Sequence, residues 1–498
     1  MLIMEFEVYE DSSLVLAAED FDSDEFNEYH FFTSQDKKCI SKLRAHGPVL
    51  LKGARGCGKS ALMIEASKGL YPRNPAGSAI GIYISLRHLD LLRTSGTEYI
   101  ELFCKLAIDE IRKQLPEIEV DTIAYSVVEL QQILVRISSQ LSKRIVLLID
   151  DAAHIGRETS LSDFFDIFRT ISNNSISCKA SIYPGVTKFG TRFDVYNDAT
   201  VIDVNRSETA SDFTELFVEV LNRRFAKSLD DSKFVKGLSK YEVCQLLGVA
   251  VLGNMRSYIY SCNQLVTSIN GSSSITLTNV AEAFKQLANN YYWPLLEEIE
   301  PKLGVYEPMI APAQKIAEIF FEKGGEKSER SIIVLREICQ RLNKPLEILE
   351  YAGFIARKEV SRAMKSRGRG TRYVLNLCNI TEKLEHGRIT PQMQEKWLTF
   401  KDDALEFHRG SELYKLELPE QLPEQELDIL KKEITILKKS NAYPYGLTDY
   451  MVTLLQQNDI RFLKDLVNTS DSKLLRFDKI GPQTLKRIRS SVNQAIWM

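Results

Sequence analysis

Gly53-Ala54-Arg55-Gly56-Cys57-Gly58-Lys59-Ser60 reads G-x-x-x-x-G-K-S. It follows the apolar run Pro48-Val49-Leu50-Leu51 and precedes a helix-like run from Ala61 to Lys68, the strand-loop-helix context of a P-loop. Glycines let successive backbone N–H groups turn onto phosphate oxygens, and the helix N-terminus adds the positive end of its dipole. In such a loop the lysine, here Lys59, reaches the β/γ-phosphates and the hydroxyl, here Ser60, ligates Mg²⁺. The expected nucleotide contacts are Gly53, Gly56, Cys57, Gly58, Lys59, Ser60 and Ala61, with ATP and Mg²⁺ as ligands. A turn that merely joined a strand to a helix would have no use for Lys59 and Ser60 at these positions.

Downstream, Ala79 to Ser85 reads as a second buried strand, and Tyr99 to Leu115 and Ser126 to Leu141 as amphipathic helices from their three-and-four spacing. Ile145-Val146-Leu147-Leu148-Ile149-Asp150-Asp151 is an apolar strand ending in two carboxylates, a Walker B arrangement. A parallel strand beside the P-loop strand would deliver Asp150 to the Mg²⁺ shell and Asp151 to the attacking water. A helix from Leu161 to Ile171, a strand from Cys178 to Tyr183 and another from Thr200 to Val204 complete five strands separated by helices. The fold class is therefore an α/β P-loop parallel sheet with nucleotide at the strands' carboxyl ends. Asp212 to Leu296 is helical throughout, and within it Gly253-Asn254-Met255-Arg256 opens a helix from Ser257 to Leu265.

The order of P-loop, Walker B, Gly190-Thr191-Arg192-Phe193-Asp194 and a helical lid with G-N-x-R resembles the AAA+ ATPases. The resemblance is particularly to the origin-recognition and archaeal-ATPase branch, and it covers about residues 30 to 300. The resemblance implies an ATPase, converting ATP and water to ADP and phosphate, that self-associates. It makes Asp151 the base and Arg256 the lid arginine that reaches the γ-phosphate. Arg192 becomes the candidate finger projecting into a neighbouring subunit's site, with a solvated arginine as the alternative. Two departures stand out. Walker B ends Asp-Asp where the family usually has Asp-Glu, a shorter base that implies slow hydrolysis. The fourth strand ends Ser181-Ile182-Tyr183-Pro184, without the usual asparagine.

Residues 1–35 carry ten Asp or Glu and no Lys or Arg, interleaved with Phe6, Tyr9, Phe21, Phe26, Tyr29, Phe31 and Phe32. Acidic disordered tails are poor in aromatics, so this segment is expected to pack against the protein's own core; covering the nucleotide base or docking on a neighbour are the alternatives.

Residues 310–378 form a further unit: helices at Ala313 to Glu322, Ser331 to Arg341 and Leu346 to Tyr351, then a hairpin of Phe354 to Val360 and Arg372 to Leu377. Its joining tip holds Arg362, Lys365, Arg367 and Arg369, with Arg372 following, and no acidic residue lies among them. This resembles the winged helix that origin-recognition ATPases carry after the lid, with those five cations as DNA contacts. Glycine permits close approach to a phosphate, and arginine favours a narrow minor groove. Residues 379–440 hold a linker marked by Pro419 and Pro423 and a helix with Leu427, Leu430, Ile434 and Leu437 on one face.

The last unit, from about 444 to 498, has eight basic and five acidic residues. Leu474 to Leu485 resembles a helix-hairpin-helix, and the whole stretch resembles the C-terminal domain of the bacterial RNA polymerase α subunit. Lys479, Gly481, Gln483 and Lys486 are then the expected DNA contacts, by backbone amides and cations on phosphate. That domain's DNA-contacting arginine has no counterpart here, where Asp449-Tyr450-Met451 stands, so protein docking is the alternative.

A chain of 498 residues is too long for one core. The expected division is an acidic and aromatic segment 1–35, a P-loop α/β domain 36–208, a helical lid 209–305, a winged-helix domain 306–380, a linker and helix 381–440, and a helix-hairpin-helix domain 441–498. The net charge of −3 confines nucleic-acid binding to local patches. Eight cysteines without C-x-x-C pairing point to reduced thiols and give no zinc framework. The opening residues lack the basic-then-apolar order of a signal peptide and no apolar run reaches membrane length, so a cytoplasmic protein without membrane contact is expected. Two functions compete: an ATP-driven switch or loader that engages double-stranded DNA, and a nucleotide-gated signalling scaffold with little or no turnover that recruits an effector protein, as in bacterial antiphage defence.

Overall fold

Buried strands form the centre of the first sheet, with the exposed strand Thr200–Asp203 at one edge. β1 (Val49–Lys52), β2 (Ala79–Ser85), β3 (Arg144–Ala153), β4 (Ile176–Ile182) and β5 (Thr200–Asp203) are all parallel, in the order β2-β3-β4-β1-β5. β4 is buried at every position, and Leu50, Leu51 and the run Ile145 to Ile149 are sealed from solvent. A strand covered on both faces has no solvent side to show, which is why β1 and the run Ile145 to Ile149 read as unbroken apolar stretches, whereas β4 buries Ser177, Lys179 and Ser181 between its apolar residues. The computed structural model describes residues 17–71, 77–87, 91, 94–120, 123–153, 158–186, 189–190, 192–234, 237–269, 274–399, 403–421, 428–439, 446–477 and 479–497. Phe6, Tyr9, Thr191, Pro423, Leu427 and residues 441–445 lie outside them.

One expectation about this sheet is corrected. The Walker B strand β3 does not lie beside the P-loop strand β1; β4 stands between them and pairs with both. The carboxyl end of β4 therefore sits between the phosphate loop and the carboxylates, and Ser181 and Tyr183 become site residues.

Helices Phe213–Phe225, Lys240–Ala250, Met255–Ser268 and Leu277–Leu287 form the lid. Beyond it comes a helix, Ile310–Lys327, and a second sheet. Ser331 to Arg341, expected as one helix, divides into strand β6 (Ser331–Leu335) and a short helix, Arg336–Arg341. Ile332, Ile333 and Val334 are β-branched and pair on both sides, antiparallel with β8 (Arg369–Leu375) and parallel with β9 (Leu405–Phe407). With β7 (Ile355–Ala363) the order is β7-β8-β6-β9. The hairpin strands are longer than expected, so Arg362 lies on β7 and Arg369 and Arg372 on β8, leaving Lys365 and Arg367 in the tip.

This second unit packs directly on the first. The Arg55 N–H donates to the Tyr351 carbonyl (3.2 Å), Lys344 Nζ to the Gly185 carbonyl (3.0 Å), and the Tyr183 and Tyr351 rings meet edge to face at 5.0 Å. Arg330 and Glu208 form a buried ion pair across the same boundary. A separate core closes the chain: Leu455, Leu463, Leu466, Leu474 and Ile488 pack with Ile429, Leu430, Ile434 and Leu437. The helix expected over the latter four is instead two 3₁₀ turns, Asp428–Lys431 and Ile434–Leu437. No described helix is long and apolar enough to cross a membrane.

Candidate nucleotide-binding site

Gly58 ends the phosphate loop and caps the helix Lys59–Lys68 at φ +97°, and Gly56 takes φ +79°. A Cβ on Gly56 would stand 2.6 Å from Arg256 Cβ, so this glycine lets the lid close onto the loop. Closure is held by backbone and side chain. The Arg256 N–H donates to the Gly56 carbonyl (3.1 Å), and Asn254, which caps its own helix through the Ser257 N–H, donates to the Arg55 carbonyl (2.6 Å). Lys59 Nζ donates to the carbonyls of Gly53 (2.8 Å) and Ala54 (3.1 Å) and lies 3.9 Å from the centre of the Tyr183 ring.

The cleft between loop and lid has two characters. Among the described residues, Arg55, Lys59, Arg87, Arg206, Arg224 and Arg256 line it with a single carboxylate, Glu19. Tyr29, His30, Phe31, Phe32, Val220 and Ile259 give it an aromatic and apolar wall. A cationic floor beside an aromatic wall suits a polyphosphate joined to a flat base. Residues 17–35 of the acidic N-terminal segment thus both pack on the core and line the cleft: Phe26 is buried, and Ala18 and Phe26 pack against Ala61.

Behind the floor lie the carboxylates. Asp150 is fully buried and accepts from the hydroxyls of Ser181 (2.5 Å) and Tyr83 (2.8 Å), with Ser60 hydrogen-bonding the same side chain. Burial, then the nearby Asp151 and Glu19, push its carboxyl above the usual range. Asp151 takes φ +52°, accepts from the Tyr183 hydroxyl (3.0 Å), and pairs with Arg87 Nε (2.6 Å). Burial alone would lower the Arg87 pKa, but Asp151 and Glu19 outweigh it and hold the guanidinium charged. Ligand atoms of Glu19, Asp150 and Asp151 all lie within 4.8 Å of one another. Hard oxygen donors converging beside the Ser60 hydroxyl fit Mg²⁺, and when bound it would offset charge on the β/γ-phosphates. Ser60 and Asp150 would hold it.

The other expected residues are elsewhere. Arg192 is exposed and outside the cleft; its carbonyl accepts from Arg169. In the hairpin, Glu359 pairs with both Arg362 (2.8 Å) and Arg372 (3.0 Å), and Asp403 with Lys365 (3.4 Å). Arg369 donates to Ser361, and Arg367 is exposed, at φ +71°. In the last unit Lys479, Gln483 and Lys486 are exposed, with open space around Gly481. Ser490 of that unit reaches back to Asp20 (3.5 Å), beside Glu19.

Sequence reasoning missed Glu19, Tyr83, Arg87 and Arg206. Arg87 and Arg206 stand just beyond the carboxyl ends of β2 and β5, where ligands of parallel sheets bind, and that position was the available signal. No comparable signal marks Glu19.

No protein-family model matches the sequence, and no curated protein matches it. Among solved structures, the chain is similar to the Walker-type ATPase paby2304 of Pyrococcus abyssi, at 14% identity and TM-score 0.41, covering 71% of this chain and 96% of that one. It is also similar to the ORC2 protein of Aeropyrum pernix in its ADPNP–ADP complexes, at 10% identity and TM-score 0.39, over 74% and 95% of the two chains. The ORC1 protein of Aeropyrum pernix in complex with DNA gives 13% identity and TM-score 0.35, over 78% and 96%. Strand order and the positions of loop and carboxylates decide the class. The core is a P-loop α/β fold, a five-stranded parallel sheet in the order β2-β3-β4-β1-β5.

His30 makes part of this cleft sensitive to acid. Burial first, then Arg224, Lys68 and Arg223, lower its pKa from 6.5 to about 4, against a hydrogen bond to the Phe26 carbonyl that raises it. Between those values the unfolded chain binds the proton more readily than the folded one, so stability is complete above pH 6.5 and falls as pH drops toward 4. The expected loss is about 3 kcal/mol at most. Thermal melts from pH 7 to pH 4.5 should show it, and His30→Gln should flatten that slope; an unchanged slope in the variant would assign the acid sensitivity to other groups.

Proposed function

We propose that the protein is an ATP-binding AAA+ switch or loader that engages double-stranded DNA, with hydrolysis controlling assembly or partner recruitment. The observation that carries the first part is the cleft itself: among the described residues six cations and one carboxylate face a space with an aromatic wall, closed by a lid that bonds directly to the phosphate loop. Lys59 and Arg256 bind the terminal phosphates, Ser60 and Asp150 hold Mg²⁺, and Arg55 and Arg206 complete the cationic floor. Arg192, exposed and away from its own cleft, suits a role at a neighbour's site.

Two contacts support coupling between nucleotide and the rest of the chain. The second unit touches the phosphate loop through Tyr351, and the last helix touches the segment carrying Glu19 through Ser490. The second unit is read as a winged helix and the last as a helix-hairpin-helix. In this reading Arg362, Lys365, Arg367, Arg369 and Arg372 of the one, and Lys479, Gly481, Gln483 and Lys486 of the other, grip phosphates without reading bases.

A specific observation favours a protein-recruiting scaffold as the second reading. Glu359 and Asp403 pair with three of the five hairpin cations and offset two of their charges, which weakens the attraction to phosphate that the sequence promised. The variant Arg367→Ala with Arg369→Ala decides between them, because neither side chain forms an ion pair among the described residues. Titration of a fluorescent duplex at several salt concentrations should show weaker binding and a log–log salt slope flattened by about two. Unchanged affinity and slope would remove the hairpin from the DNA contacts and leave the scaffold reading the better one.

A further inference from the structure

We propose that Glu19 is the carboxylate that orients and deprotonates the attacking water, in place of the second Walker B residue. The inference rests on the reading of the cleft as a site of ATP hydrolysis.

Asp151 is poorly placed for that work. One carboxylate oxygen accepts from the Tyr183 hydroxyl and the other is tied to Arg87 Nε at 2.6 Å. The side chain is 3% exposed, and Asp151 is not among the described residues that line the cleft. Its left-handed backbone, uncommon for a non-glycine residue, turns it into this buried network.

Glu19 has what Asp151 lacks. It lines the cleft, with 20% of its side chain exposed. Oε1 accepts from the Tyr83 hydroxyl (3.0 Å) and pairs with Arg87 (3.5 Å), which fixes the carboxylate, while Oε2 is buried with no hydrogen-bond partner among the described residues. A buried carboxylate oxygen without a partner is costly to leave so, and a water held against the terminal phosphate would satisfy it. The Tyr83 oxygen stands within hydrogen-bond distance of both Glu19 (3.0 Å) and Asp150 (2.8 Å) and shares its one proton between them, so the N-terminal carboxylate is registered against the residue that would hold Mg²⁺. The pair Asp150 and Glu19 restores the Asp and Glu chemistry that the sequence of β3 lacks, with the longer acid supplied by a segment about 130 residues upstream.

In the step, the water oxygen bonds to the γ-phosphorus while the bond from that phosphorus to the β–γ bridging oxygen breaks, its electron pair leaving with ADP. The water's proton passes to Glu19 and from there to the phosphate released. Charge on the terminal oxygens faces Lys59 and Arg256 throughout.

The test is Glu19→Gln in the full chain, which keeps size and the Tyr83 hydrogen bond and removes the base. Expected are ATP affinity by calorimetry within about threefold of the unmodified protein, turnover lower by about 10²- to 10⁴-fold, and ATP rather than ADP extracted from the protein after long incubation with Mg²⁺ and ATP. Turnover equal to the unmodified protein's overturns the inference and leaves the hydrolysis reading standing. Loss of ATP affinity along with turnover also overturns it, because Glu19 would then be holding the cleft together. If the unmodified protein itself returns only intact ATP, the hydrolysis reading fails and this inference falls with it.

Discussion

Lys59→Ala should lower ATP affinity at least about 100-fold in a calorimetric titration. Lys59 is 6% exposed, and its ammonium spans the carbonyls of Gly53 and Ala54 under the face of Tyr183. Those carbonyls hold the charge at the mouth of the phosphate loop, where entering phosphate oxygens can replace them. Charge-assisted hydrogen bonds contribute about 1.5–3 kcal/mol each, and about 2.7 kcal/mol is a hundredfold in affinity. Two other cations of the cleft are already engaged: Arg206 Nη1 is held by the Cys57 carbonyl (2.8 Å), and Arg55 by Glu298 (3.4 Å). Undiminished affinity in the variant would remove the nucleotide assignment and everything built on it.

β1 and β3 were legible because a parallel strand buried on both faces writes an unbroken apolar run. Neighbour order was not legible. Nothing in Ile176 to Ile182 says that it inserts between β1 and β3, since pairing is a property of distant partners. The same limit explains β6, whose run Ile332-Ile333-Val334 reads equally as buried helix or buried strand until β8 and β9 arrive on either side. In the site, the phosphate loop and Walker B acids were readable as local motifs. Glu19 was not, because its meaning comes from Tyr83, Arg87, Asp150 and Asp151, all far along the chain. The hairpin shows the converse error. Its tip is free of acids in sequence, yet Asp403 and Glu406 reach it from beyond the unit, Glu406 accepting from the N–H groups of Lys365 and Ser366.

Asp36→Ala should destabilise the protein by about 3–5 kcal/mol and weaken ATP binding at the same time. Asp36 is 3% exposed and does two things. It completes the cap of the helix Ser34–Arg44 by accepting from the Thr33 N–H and hydroxyl (3.1 and 2.9 Å), and it pairs with Arg206 (3.3 Å). Arg206 donates in turn to the Cys57 carbonyl (2.8 Å) and the Gly253 carbonyl (3.4 Å), so one guanidinium ties the N-terminal helix, the phosphate loop and the start of the lid. Replacing Asp36 by alanine leaves that buried cation without its counter-charge, and the cost of an unpaired buried charge exceeds what the pair itself contributed. Asp36→Asn separates the two roles: it keeps an oxygen for the cap and removes the charge, so it should recover about 1 kcal/mol of the loss. Because anionic phosphate would face the orphaned Arg206, saturating ATP should stabilise the alanine variant in thermal melts while leaving it below the unmodified protein. If both variants melt like the unmodified protein, Arg206 is held by its carbonyl partners alone and Asp36 serves only its own helix.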